Sequence, residues 1–214
     1  MEKISKVLED LISLQRSYAL TFRAMTTEER HKNIVQSGLI KDYNYDSNFL
    51  REPLLEHVGH LPIIASFLHG KLEHKDEIDL GHVLIMLSIH DFGETVVGDV
   101  LTYKKNSDHE KAEYEAVKNG LPKYLFEYFK EFEDRETIEA KFAKAVDALA
   151  PELHELAMPQ VTIERFAHFD FNTDKILAKK EKYYEFDKFL KELFKHVIVL
   201  YRDIEAKSKK HNNI

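Results

Sequence analysis

The chain contains no cysteine, and this absence removes disulfides, thiolate metal sites and cysteine nucleophiles together. Stability must therefore rest on a buried core, which 214 residues are enough to assemble without staples. Glycine and proline are scarce, at 7 and 5 residues, so few positions force a helix to stop. No stretch alternates like a half-buried strand, and no internal repeat or low-complexity segment is visible. A long apolar run is also missing from the amino-terminal "MEKISKVLEDLISLQRSYAL", where acids interrupt the apolar pattern. That segment is expected to be neither a signal peptide nor a membrane span. Excess positive charge is lacking too. A net charge of −7 argues against a broad nucleic-acid surface, because duplex binding neutralises several phosphates with Lys and Arg. A small phosphorylated ligand needs only a few local cations and stays open. These absences describe a soluble, cytoplasmic, all-α protein forming one domain over residues 1–214, with no polymer of nucleic acid and no membrane as partner.

What is present is helix, punctuated at readable places. A first helix is expected over about 2–25, with Ile4, Val7, Leu8, Leu11, Ile12 and Leu14 on its apolar side. A second should run from Thr26 and Thr27 to Gly38, followed by the turn-rich "KDYNYDSN". Pro53 suits a first turn, and Pro62 predicts a kink or break within "PLLEHVGHLPIIASFLHGKL". Further helices should begin near Asp79, Ser107, Pro122 and Thr137, with Pro151 disturbing the last of these. A final helix is expected from Thr173 to Ala206. Its stripe of Phe186, Phe189, Leu190, Leu193, Phe194, Val197 and Ile198 fits a core face or, less often, an oligomer interface.

One stretch departs from ordinary core logic. After the apolar "HVLIML", the segment "SIHDFGETVVGDV" sets His90 and Asp91 side by side, then Glu94, then Asp99. On a helix His90 and Glu94 would lie one turn apart with Asp91 on the flank. Burying such groups unpaired costs several kcal/mol, roughly the range for unsatisfied polar groups and more for charges. Basic partners, water or a metal ion would each offset that cost. Imidazole and carboxylate suit a divalent first-row metal where thiolate is lacking. His57 and Asp147 are ligand-type residues on other helices, and Asp147 sits among Val146, Ala148 and Leu149. Each of these signals alone is more often structural than metal-binding.

Their order carries more. A histidine, a His-Asp pair about thirty positions later and an aspartate beyond it, all on helices, resemble the HD-domain phosphohydrolases. "LLEHVGHLPIIASFL", "HDFGETVVGDV" and "IEAKFAKAVDAL" are similar to the three motif segments of the YfbR-like 5'-deoxynucleotidases, with a motif core over about residues 51–150. The resemblance implies an HD-domain helical bundle with additional N- and C-terminal helices. It implies that His57, His90, Asp91 and Asp147 hold one divalent ion (Mn, Co, Mg, Fe, Ni or Zn), with Glu94 acting on the attacking water. Asp99 corresponds to the acid beside the substrate's sugar. The family's early Arg-Trp pair finds no tryptophan here. Arg23 in "LTFRAM", Arg51 and Lys144 are the cations that remain for phosphate. The expected reaction is removal of phosphate from a small phosphorylated substrate, a nucleoside 5'-monophosphate with a deoxyribose preference, by a possible homodimer. Alarmone pyrophosphohydrolysis, phosphodiester hydrolysis and a metal-stabilised scaffold or sensor are the alternatives. His60 beside His57 reads as an ordinary polar residue, and His109 as the one histidine available for a second metal, which favours a single ion. Tyr43 and Tyr45 read as loop residues rather than a cap on a base pocket.

Overall fold

The computed structural model describes residues 4–9, 11–12, 54–98, 106–157, 162–163, 166 and 172–211. Every regular element among them is helical. The α-helices are α1 (Leu54–His69), α2 (Leu80–Ile89), α3 (Glu94–Val97), α4 (Ser107–Gly120), α5 (Lys123–Asp134), α6 (Ile138–Ala157), α7 (Thr173–Lys180) and α8 (Lys188–His211). Short 3-10 turns occupy Lys75–Glu77 and Glu181–Tyr183. The protein is all-α, as its composition predicts. The expected second helix and the "KDYNYDSN" turn lie outside the described residues, as do Tyr43 and Tyr45.

Helix starts follow side chains that satisfy the first free N–H groups. Asp79 accepts from the N–H of His82 at 3.1 Å, Asn106 from His109 at 2.9 Å and Asn172 from Lys175 at 2.8 Å. Arg135, in the left-handed region at φ 55°, closes α5. Thr137 then starts α6, accepting from Ala140 N–H at 3.2 Å.

α1, α2 and α6 pack mutually and form the centre of the molecule. α1 contributes Leu61, Ile64, Ala65 and Leu68, and α2 contributes Val83, Met86 and Leu87. α6 is buried on nearly every side. Its alanines at 140, 143 and 145 let neighbouring helices approach, while Phe142, Val146, Leu149 and Leu153 fill the space between them. Val7, Leu8 and Leu11 of the amino-terminal helical residues join the same core.

Pro62 does not break its helix, and α6 likewise runs on through Pro151. Each proline withholds one i→i−4 hydrogen bond, and in α6 the carbonyl so deprived belongs to Asp147. The final helix is not continuous from Thr173. It is divided by the 3-10 turn, and Asp187 restarts it. That carboxylate, only 1% exposed, accepts from Leu190 N–H at 3.0 Å and from Glu73 N–H at 2.9 Å. One buried acid thus caps α8 and ties it to the segment after α1. The helix leading to His90 ends at Ile89, with His90 as its C-cap, and the chain tightens into i→i−3 bonds: Phe92 N–H to Ile89, Glu94 N–H to Asp91, and Thr95 N–H to Phe92. With this tighter winding, residues three apart are the ones that eclipse.

The α8 stripe is core. Leu190, Leu193, Phe194, Val197, Ile198 and Tyr201 are all buried, with Phe186 and Phe189 packed against them. This face is therefore not a dimer surface.

Candidate metal centre

Each member of the central trio brings part of one polar cluster. α1 supplies His57 from its first turns. α2 ends just before His90 and Asp91, and α6 supplies Asp147 near its middle. The turn bearing Asp91 is held from outside by α4. A Cβ at Gly93 would lie 2.8 Å from the backbone oxygen of Glu113, so only glycine permits that approach. Gly98, at φ 84°, then ends α3 in a conformation that L side chains rarely adopt.

His57 Nε2 lies 3.3 Å from Asp147 Oδ1 and 3.6 Å from Asp91 Oδ2. His90 Nε2 lies 3.3 Å from the same Asp147 oxygen and 3.1 Å from the same Asp91 oxygen. Donor atoms of His57, His90 and Asp147 all lie within 4.8 Å of one another, and Asp91 Oδ2 approaches both imidazole nitrogens. Donors bound at about 2.1 Å to one ion stand roughly 3.0 Å apart at right angles and roughly 3.4 Å apart in a tetrahedron, and the observed separations fall around these values.

The hydrogen-bond pattern tests whether an ion fits. Nδ1 of His90 donates to the Leu87 carbonyl at 3.0 Å. A carbonyl only accepts, so that nitrogen carries the proton, and neutral His90 keeps its lone pair on Nε2. Nε2 is buried and makes no aligned hydrogen bond, although two carboxylate oxygens face it. Lone pairs converging this way require a cation, either a proton or a metal. A histidine anchored through one nitrogen to a carbonyl, with the other left for an ion, is the usual support for a ligand imidazole. The donor set fits a divalent first-row metal.

Without a metal, protons take that role. Burial pushes His90 down, but Asp91 and Asp147 outweigh it and raise the imidazole to about 10. His57 is likewise lowered by burial yet raised overall by Asp147 and Asp91. Asp147 opposes the upward push of burial through Lys144 and the two imidazoles, and is held well below the usual carboxylate range.

Lys144 divides the work of the Asp147 carboxylate. Its ammonium binds Oδ2 at 2.8 Å, which leaves Oδ1 directed at the two imidazoles. The Phe132 ring lies beneath both groups, 5.0 Å from the His90 ring and 5.1 Å from Lys144 Nζ. The His90 side chain is 2% exposed, while those of His57, Asp91 and Asp147 are 16%, 20% and 17% exposed. The cluster is thus a pit with His90 at its floor and three donors reached by solvent.

The other candidates are less central. Glu94 is half-buried at the start of α3, outside the three donor atoms of His57, His90 and Asp147. His60 is also outside them, with its imidazole lowered by burial. His109 Nε2 approaches the Gly98 carbonyl at 3.3 Å and Glu113 at 3.5 Å instead. Asp99, Arg51 and Arg23 lie outside the described residues. Sequence reasoning missed Phe132, whose place under His90 no local pattern announces, and the Leu87 carbonyl, three positions before His90 as a tightening helix end would suggest.

With this geometry in place, comparison with known proteins is informative. A family model for the HD domain matches residues 44–190, well over half of the chain. A crystal structure from Magnetospirillum magnetotacticum MS-1, described as a predicted metal-dependent phosphohydrolase, is similar in fold. Its TM-score is 0.57 at 23% identity, covering 88% of this chain and 97% of that one. No curated protein matches the sequence.

Proposed function

This chain belongs to the HD-domain family, and from that premise we propose that it is a metal-dependent phosphomonoesterase acting on nucleoside 5'-monophosphates, with deoxyribonucleotides preferred. The observation that carries the reading is the His90 imidazole. One nitrogen donates to Leu87, and the other faces the Asp91 and Asp147 carboxylates. The name of the Magnetospirillum protein agrees with a phosphohydrolase.

His57, His90, Asp91 and Asp147 hold one divalent ion in this proposal. Such an ion lowers the pKa of water and neutralises phosphate charge, so the acids of the pit need no surrounding arginines. Glu94, one turn beyond Asp91, takes the proton of the attacking water. Lys144 keeps Asp147 oriented and adds its positive charge on the phosphate side. Asp99 contacts the sugar, and Arg51 and Arg23 supply further charge to the phosphate. The protein is proposed to work in the cytoplasm as a homodimer, through a surface other than the α8 stripe.

The test is phosphate release from a panel of ribo- and deoxyribonucleoside monophosphates with added Mn2+ or Co2+. Glu94→Ala should lower turnover by about 10²–10⁴-fold, the range for a lost general base, with metal content unchanged. Equal turnover in that variant removes Glu94 from the chemistry. A wild type that binds metal yet releases no phosphate from any member of the panel returns the protein to the sensor or scaffold class. Activity confined to diphosphate or diester substrates selects the other hydrolase readings.

A further inference from the structure

The turn after α7 reaches back to the metal centre. Tyr183 lies far beyond the motif segments in sequence, yet Lys144 Nζ stands over its ring at 5.7 Å. The same ammonium stands over Phe132 at 5.1 Å, so two aromatic faces meet it while it binds Asp147 Oδ2 at 2.8 Å; Lys182 Nζ also stands over the Tyr183 ring, at 5.1 Å.

The turn is anchored on both flanks. Before it, Lys180 donates to the Ala148 carbonyl at 2.9 Å and pairs with Glu152, both on α6. After it, the Tyr184 ring stacks on Phe194 of α8, with centroids 4.3 Å apart and planes 20° from parallel. These contacts fix where the Tyr183 ring stands relative to α6.

We infer that Tyr183 is a positioning residue for the metal centre. Its ring clamps the Lys144 ammonium against Phe132, holding Lys144 on the outer oxygen of Asp147 and so aiming the inner oxygen at the imidazoles. A lysine side chain has four rotatable bonds and resists being held in one place. Aromatic faces attract the ammonium without offering it an acceptor that competes with Asp147. The inference rests on the metal reading above, and it gives the carboxy-terminal turn a part in that site.

Affinity for Mn2+ and Co2+, measured by competition against a chromophoric chelator, tests it alongside thermal melting of each metal-free variant. Tyr183→Leu should weaken binding about three- to tenfold, the range of one partly buried cation–π contact. Tyr183→Phe, which keeps the ring, should bind like wild type. In a Lys144→Met background Tyr183→Leu should cost nothing further, because residues acting through one another are not additive. Should Tyr183→Leu fail to melt cooperatively, Tyr183→Met takes its place. Unchanged affinity in Tyr183→Leu, or an equal further loss in the Lys144→Met background, overturns the clamp alone. A wild type that binds neither ion overturns the metal reading and the clamp with it.

Discussion

α6 carries two buried polar clusters, one on either side of Pro151, and they are built on opposite principles. Around Asp147 the acceptors outnumber the donors, with two carboxylates and an imidazole lone pair converging while Lys144 serves one outer oxygen. Around Glu152 and Glu155, which are 3% and 7% exposed, a lysine and a tyrosine hydroxyl stand at the carboxylates. Tyr201 Oη lies 3.2 Å from the Glu152 carboxylate and 3.0 Å from that of Glu155, so its single hydrogen serves one of them at a time, Lys180 pairs with Glu152, and Thr162 donates to the Glu155 backbone carbonyl at 2.7 Å. A buried network with its donors in place holds helices together. A buried cluster short of donors is unfavourable by itself and becomes favourable when a cation enters it. The contrast lies in hydrogen-bond bookkeeping, not in the number of acids.

The sharpest way to break this contrast is to remove one acid from each side. Asp147→Ala should lose bound metal by about 100-fold or more in affinity, as expected when a ligand itself is deleted. Retained metal by elemental analysis would mean that the fourth ligand lies elsewhere. Glu152→Gln should leave metal content unchanged and lower stability instead. It leaves Lys180 without its charged partner, a loss of roughly 3 kcal/mol for a broken buried pair. For a chain of this size that corresponds to about 6–12 °C in Tm.

A pH series sharpens the same distinction. In the metal-free protein His90 is raised from 6.5 to about 10. The stability it contributes is therefore fully present below about pH 6.5 and is lost as pH climbs through about 10. Metal must displace that proton, so apparent affinity should rise with pH by about tenfold per unit for each proton released. Calorimetry at two pH values with buffers of different ionisation enthalpy counts those protons. An affinity flat across pH 6.5 to 8.5 would contradict the donor set. The smallest effect is expected from Thr162→Val, which removes one buried hydroxyl bond to Glu155. About 1 kcal/mol, or roughly 2–4 °C in Tm, should be lost with no change in metal affinity.

Particular residues show where sequence reading reaches and where it stops. α4 begins at Ser107 as the sequence predicts, with Asn106 capping it from one residue before, because caps act within a few residues. The C-terminal helix, which its apolar stripe predicts to be continuous, is divided after Lys180. Asp187 looks like a surface acid between aromatics, and only its bond to Glu73, 114 positions away, explains its burial. α1 runs on through Pro62 and α6 through Pro151, because packing on both sides of a core helix outweighs one missing hydrogen bond.

Four ligand-type side chains, their order and the helices that carry them are properties of the sequence, because helix periodicity and capping are local. Their meeting is not. His57 and Asp147 are 90 positions apart, and their contact exists only because α1, α2 and α6 pack against one another. Tertiary structure likewise decided which oxygen of Asp147 faces the imidazoles, where α2 tightens, and that a distant tyrosine stands over Lys144. Each of these depends on side-chain directions across helix interfaces, where distance along the chain carries no information about distance in space.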